Sequence, residues 1–183
     1  MYAPHFAAAL AIKGRTPEAP LWALLVGAFI PDLLWIALAR IGVEPAHPSS
    51  FFDDWSHSLA SVAILASLFA LAFLRRGKPV FVAIWLAVFS HFVLDFPVHP
   101  KRLALAPLTG IYLGRDLLAW GSRPGWLAAI INDWWLQLAA LLVLLIVYAT
   151  GMRTARIRPT AAAASSALLI GIQLLTLFPC ISY

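Results

Sequence analysis

The chain has 183 residues, 62% of them hydrophobic and only 11% charged, and its mean hydropathy is +0.87. Ordinary soluble domains carry about 25% charged residues, so this composition excludes a water-soluble enzyme and predicts an integral membrane protein. The net charge of +5 comes from short basic clusters beside apolar runs, without the long basic stripe of a nucleic-acid-binding protein.

A single cysteine, Cys180, allows neither an internal disulfide nor a thiolate metal cluster. Any bound metal must therefore use imidazole and carboxylate ligands. The N-terminus has no basic stretch before its apolar part, and we expect no removable signal peptide.

A helix needs about 20 apolar residues to cross a bilayer. In chain order, a short apolar piece at residues 2–12 predicts a half-helix entering from one face, or an interfacial helix. Five longer runs predict transmembrane helices over residues 21–39, 55–74, 79–97, 126–150 and 161–179. The longest connection, residues 98–125, is predicted to hold a short helix around residues 113–120. The predicted fold is therefore all-α: one polytopic transmembrane domain over residues 1–183, with about five transmembrane helices plus an N-terminal half-helix.

Basic residues predict the orientation, because Lys and Arg accumulate on the cytoplasmic side of membrane proteins. The loops of one face carry eight basic residues and one acid, whereas the loops of the other face carry five basic residues and four acids. The first face is predicted to be cytoplasmic, in the inner membrane of a bacterium, so the half-helix enters from the periplasmic side. Its eight basic residues are Lys13, Arg15, Arg75, Arg76, Lys78, Arg153, Arg156 and Arg158.

Six ionisable side chains from four segments are predicted to reach one depth near the outer leaflet: His5, Asp32, His57, His91, Asp95 and His99. Each such group alone near the bilayer centre costs about 2.5–3.5 kcal/mol on insertion scales, so each requires a partner. At a spacing of four residues, His91, Asp95 and His99 drift by only about 40° per step around a helix, which predicts one narrow stripe. We interpret the six residues as a metal site that opens toward the periplasmic side.

Two prolines interrupt the helices beside these residues. Pro31 removes the backbone hydrogen bond to the Gly27 carbonyl, and Pro97 removes the bond to the Val93 carbonyl. A free carbonyl at membrane depth is tolerated where protein or water meets it, so both prolines predict a wet pocket.

Some of these polar residues have simpler interpretations. The alternative for Asp32 is an ion pair with an arginine such as Arg40 or Arg102, because intramembrane acids usually have a charged partner. His47 is predicted to be a solvated loop residue.

The start of the second span also has a structural interpretation. Ser56 and Ser58 fit helix caps, and Asp53 and Asp54 fit the N-terminal end of a helix dipole.

Imidazole and carboxylate ligands suit a divalent metal, zinc above all, with iron and manganese as alternatives. Such a metal lowers the pKa of water, so hydrolysis is the expected reaction, with Asp32 or Asp95 as base and the histidines as ligands. One metal, or two sharing a bridge, would fit these residues. A basic rim near the site would bind an anionic headgroup of a substrate or anchor the chain to membrane lipids: Lys101, Arg102, Arg115 and Arg123.

The order of the motifs, a histidine near the N-terminus, then "GAFIPD", "SHSL" and "SHFVLD", resembles the membrane-bound metal-dependent hydrolase family of bacterial inner-membrane proteins. The resemblance covers about the first 110 residues. It implies metal-site roles for His5, Asp32, His57, His91 and Asp95, and a subset of the family adds His99.

The chain departs from the family pattern at two places. It has Phe52 with Asp53 where other members have a second histidine, and Leu33 with Leu34 where they have further acids. These departures argue against a two-metal site.

The expected function is hydrolysis of a lipid-linked or amphipathic ester at the outer face of the membrane. A proton-coupled transporter is the first alternative, because proline-interrupted helices and His/Asp clusters occur in such proteins. The second alternative is a non-catalytic subunit of a larger membrane complex that binds haem or pigment through histidine. The expected partners are membrane lipids, a lipid-like or anionic substrate and, in the last case, a membrane protein.

Overall fold

The structure is a computed structural model that describes residues 2–44, 53–97, 103–113, 125–154 and 159–175. These residues are mostly helical, as predicted. The helices are α1 Tyr2–Arg15, α2 Leu21–Arg40, α3 Asp54–His57, α4 Leu59–Leu71, α5 Lys78–Asp95, α6 Gly125–Thr154 and α7 Pro159–Leu175. A 3-10 turn, Leu74–Arg76, precedes α5, and two short strands, β1 Leu103–Ala104 and β2 Tyr112–Leu113, follow it.

Three helices in the described part of the chain are long and apolar enough to cross a membrane: Leu21–Arg40, Lys78–Asp95 and the Trp135–Met152 part of α6. They correspond to the first, third and fourth predicted spans and support a membrane protein. The described apolar part of α7, Ala163–Leu174, is shorter than a span. The predicted count of five transmembrane helices is therefore not confirmed.

The second predicted span is broken into α3 and α4. Ser58 takes an extended backbone conformation, with φ −66° and ψ 153°, and its Oγ accepts a hydrogen bond from the Ser61 amide at 3.3 Å. Serine is a favoured N-cap residue, so a new helix begins here. Helix α4 has 13 residues and a length of about 20 Å, which is short of the roughly 30 Å hydrocarbon core.

Helix α5 contacts α1, α2 and α4 and is central to the described bundle. Its buried residues recur every three or four positions, which places them on one face of the helix. Val80, Ile84 and Val88 form the apolar part of this face, and His91 and Asp95 continue it toward the C-terminal end of the helix. The helix thus carries two candidate site residues into the interior on the same stripe as its core residues.

Helix α1 packs against α2, α5, α6 and α7. Its 14 residues give a length of about 21 Å. Small side chains allow this close packing. They are Ala3, Ala7, Ala8, Ala9 and Ala11, each at most 5% exposed.

Two helix contacts depend on glycine. A methyl group at Gly151 of α6 would overlap the backbone of Gly14 on α1, and one at Gly14 would lie 2.9 Å from the Tyr148 carbonyl oxygen. A methyl group at Gly27 of α2 would lie 3.2 Å from the Val88 side chain on α5. Helix backbones in membranes come this close only where residues are small. The second contact brings α2 against the face of α5 that carries the histidine.

The connection after α5 differs from the prediction. Strands β1 and β2 form an antiparallel hairpin, so Leu113 belongs to a strand, and the rest of the predicted helix around residues 113–120 lies outside the described residues. Leu103 is buried in one cluster with Val62 and Phe92. The Leu105 carbonyl accepts a hydrogen bond from the Ala60 amide at 3.0 Å, which ties the hairpin to the start of α4.

Replacing Gly151 by alanine is expected to lower the free energy of unfolding by about 1–3 kcal/mol, because the helices must separate to admit the methyl group. Gly171 of α7 supplies the matched control, since no described heavy atom lies near the methyl group that alanine would add there. Gly171→Ala should leave stability unchanged or raise it by up to about 1 kcal/mol, as alanine is the better helix former. Denaturant unfolding in detergent micelles measures both. Equal effects would contradict the close contact of α1 with α6.

Candidate metal centre

The orientation of the His91 ring is set by one hydrogen bond. Its Nδ1 lies 2.8 Å from the carbonyl oxygen of Ala28 on α2. A carbonyl oxygen only accepts hydrogen bonds, so Nδ1 carries the proton and donates it. In the neutral ring, Nε2 then holds a lone pair directed away from Ala28.

Three other acceptor atoms surround this lone pair. Nε2 of His91 is 3.2 Å from Oδ2 of Asp95, 3.3 Å from Nε2 of His57 and 3.6 Å from Oδ1 of Asp32. Asp32 and His57 are themselves 3.3 Å apart. The side chains of His57, His91 and Asp95 are at most 8% exposed, whereas that of Asp32 is 19% exposed. The cluster is therefore almost enclosed and opens beside Asp32.

His5 joins the cluster from α1. Its ring stacks on that of His91 with a centroid distance of 4.0 Å and an angle of 8° between the planes. Its Nε2 lies 3.2 Å from Oδ1 of Asp95, but neither ring nitrogen has an aligned hydrogen bond among the described residues. Buried polar atoms are normally hydrogen-bonded. His5 is held beside Asp95 and stacked on His91 without an aligned hydrogen bond in the described part of the chain.

His57 is oriented from outside by a serine and a glutamate. Oγ of Ser56 lies 2.7 Å from Nδ1 of His57 and donates to Oε2 of Glu44 at 2.7 Å. A serine hydroxyl has one hydrogen, so once that hydrogen is given to Glu44, Oγ accepts from Nδ1–H of His57. Nε2 of His57 then also presents a lone pair to the cluster. A carboxylate that orients a ligating imidazole in this way is the usual arrangement around protein-bound metals.

Glu44 is fully buried in the loop after α2. Its Oε1 accepts hydrogen bonds from the backbone amides of Trp55 at 2.6 Å and Ser56 at 3.0 Å. Burial raises the pKa of the Glu44 carboxyl above its ordinary value, and the hydrogen bonds from Ser56 and Trp55 offset part of this rise. The Ser56 hydroxyl that contacts His57 is thus one of three donors directed at the two oxygens of Glu44.

The arrangement can hold a cation. Two groups of three residues each offer ligand atoms within 4.8 Å of one another: His5, His91 and Asp95 in one, and Asp32, His57 and His91 in the other. Carboxylate oxygens and imidazole lone pairs that face each other repel unless a proton or a metal ion lies between them. Both groups share His91, so they lie side by side.

The structure brings together five of the six residues that the sequence marks as metal-site candidates, and His99 lies outside the described residues. Asp32 forms its ion pairs with His57 and His91, which differs from the alternative pairing with Arg40. The carbonyl used by His91 belongs to Ala28, one position after the Gly27 carbonyl that Pro31 was predicted to free.

Sequence reasoning missed the roles of Ser56 in α3 and of Glu44 in the loop after α2. Ser56, interpreted as a helix cap, contacts Glu44 and His57, while Ser58 is the residue that caps a helix. Asp53 and Asp54 do lie at the N-terminal end of α3. Glu44 is one of the four loop acids on the second face, and no spacing connects it to the histidines. The predicted rim of Lys101, Arg102, Arg115 and Arg123 lies outside the described residues.

No protein-family model matches the chain, and neither does a curated protein or a solved structure. The resemblance of its motifs to the hydrolase family therefore stays a prediction.

Ser56→Ala is expected to weaken zinc binding by about 10–100-fold, because Nδ1 of His57 loses the acceptor that sets its tautomer. Glu44→Gln should also weaken zinc binding. The Ser56→Ala/Glu44→Gln double variant should bind zinc as tightly as the single variant with the lower affinity, since both residues act through one hydrogen-bonded chain. Ser61→Ala, which removes a hydroxyl bonded to Ser58, is the control and should change affinity by less than about threefold. Competition with a chromophoric chelator measures each dissociation constant. Additive losses of binding free energy in the double variant would contradict the hydrogen-bonded chain from Glu44 through Ser56 to His57.

Proposed function

We propose that the chain is a membrane-embedded hydrolase that uses a divalent metal ion, zinc being the best fit, to cleave a lipid-linked or amphipathic ester. One observation carries the proposal. Five ionisable residues from four helices form two adjoining groups that share His91: His5, His91 and Asp95 in one, and Asp32, His57 and His91 in the other. Ionisable groups inside apolar helices are costly and mark functional sites by default.

The donor set fits such an ion. Two ligands at about 2.1 Å from one metal lie at most about 4.2 Å apart, and the contacts among Asp32, His57, His91 and Asp95 measure 3.2–3.6 Å. Nitrogen and carboxylate donors suit zinc, iron or manganese. His91 offers only Nε2, which supports a single ion better than two ions that share this residue.

The five residues would divide into ligands, a positioning residue and a base. When bound, the metal lowers the pKa of water and polarises an ester oxygen. His57 and His91 would hold the ion through nitrogen and Asp95 through one oxygen, while His5 would contact the other oxygen of Asp95, which leaves a position open for water. We assign Asp32 as the general base that removes the proton from the attacking water, because its side chain is the most exposed of the five.

The surroundings favour a lipid-like substrate. Apolar side chains next to the two aspartates in sequence are 39–55% exposed, and they would face lipid in a membrane: Leu33, Ile36, Val93 and Phe96. A substrate with an apolar chain would approach over this surface and present its ester group at the open side near Asp32. Loop charge supports a bacterial inner membrane with the site on the periplasmic side.

Metal content tests the centre directly. Native protein purified in detergent without chelators is expected to hold about one divalent ion per chain by elemental analysis. His91→Ala should remove most of it, because both candidate ligand groups include His91. His47→Ala removes a histidine that the sequence places in a solvated loop, and this control should retain the metal. Native protein without stoichiometric metal would remove the premise.

Asp32→Asn tests the base. The variant is expected to retain the metal through His57, His91 and Asp95 and to hydrolyse a fluorogenic phospholipid in mixed micelles about 10²–10⁴-fold more slowly, the usual loss for a general base. Metal content and rate are measured on the same preparation. If metal and activity disappear together, Asp32 is a ligand. Unchanged activity would contradict both roles.

A further inference from the structure

A groove of about 650 Å³ runs between α1, α5 and α6, apart from the metal centre. Its walls are almost wholly apolar. On α1 they are small, with Ala8 and Ala11, and on α5 they include Leu86 and Val93, which are 45% and 55% exposed. The groove therefore exists because alanines on α1 leave space beside larger side chains on α5.

The groove is long. It extends along α5 from Lys78 to Val93, a distance of about 22 Å at the helical rise per residue. One leaflet of the hydrocarbon core is about 15 Å deep, so the groove is long enough for an acyl chain that runs through one leaflet.

Positive charge marks one end of the groove. Arg15, in the last turn of α1, and Lys78, at the start of α5, are the only charged residues of its described lining, and both are exposed. They belong to the face that loop charge predicts to be cytoplasmic. Basic side chains at the membrane surface attract anionic headgroups.

We propose that the groove binds one anionic phospholipid of the cytoplasmic leaflet, with an acyl chain between α1 and α5 and the phosphate at Arg15 and Lys78. Apolar walls, a length sufficient for an acyl chain of one leaflet and cations at one end of the described lining are the features that such a lipid requires. The site does not depend on the metal centre.

The proposal is tested by titrating the full-length protein in detergent with dioleoyl phosphatidylglycerol and counting bound lipids by native mass spectrometry. One lipid should bind saturably, and dioleoyl phosphatidylcholine should bind more weakly. Exchanging both cations, as R15Q/K78Q, should weaken phosphatidylglycerol binding about thirtyfold, given the usual contribution of each basic residue at a membrane surface. The control R75Q/R76Q removes the same charge from the same face outside the groove and should change binding by less than about threefold.

A second variant tests the groove itself. Ala11→Phe would fill the groove without altering charge and should abolish binding of the lipid. The metal content, measured in parallel, should not change.

Equal weakening of phosphatidylglycerol binding in R15Q/K78Q and R75Q/R76Q, or equal affinity for the two lipids, would overturn the proposal. A folded Ala11→Phe protein that binds phosphatidylglycerol with native affinity would also overturn the proposal. A fall in particle mass from dimer to monomer in Ala11→Phe, seen by light scattering, would assign the groove to a second copy of the chain instead. If Ala11→Phe does not fold, the comparison of lipid affinity between R15Q/K78Q and R75Q/R76Q decides the question.

Discussion

The candidate site depends on the hydrogen bond from His91 to the Ala28 carbonyl. That bond fixes which nitrogen of the ring is protonated, and it leaves a lone pair facing two carboxylates and a second imidazole at 3.2–3.6 Å. Groups that only accept hydrogen bonds cannot satisfy one another. In a surrounding of low dielectric the repulsion between these groups is strong, so the cluster requires protons or a cation. A single divalent metal ion would meet this requirement. The same bond holds α2 against α5.

Irregular helices bring these groups close together. Helix α1 carries His5 on its first turn, and the break at Ser58 separates the short helix α3 from α4. Because α3 is separate, Ser56 and His57 meet the loop that contains Glu44. Helix α5 completes the cluster by continuing its apolar stripe into His91 and Asp95. Each departure from a simple bundle of long spans thus coincides with a residue of the site.

Helices α1 and α5 also connect the site with the lipid groove. Both line the groove at its basic end, and both carry cluster residues at their other end. The polar cluster and the basic end of the groove therefore lie at opposite ends of α1 and α5. Small residues make both the cluster and the groove, since Gly27 admits α2 to α5 and the alanines of α1 open the groove.

The sequence by itself determined the membrane class, the helical fold and the five residues that meet, because the cost of placing a charge in lipid can be read from each residue and its apolar neighbours. Helical spacing also placed His91 and Asp95 on one face. Only the tertiary structure decided what lies far apart in the chain. Glu44 reaches Ser56 across twelve positions and His5 reaches Asp95 across ninety, and no periodicity encodes such contacts. The break at Ser58 could not be predicted for a related reason. Hydropathy measures how apolar a segment is, whereas a serine cap acts through backbone geometry, which hydropathy does not describe.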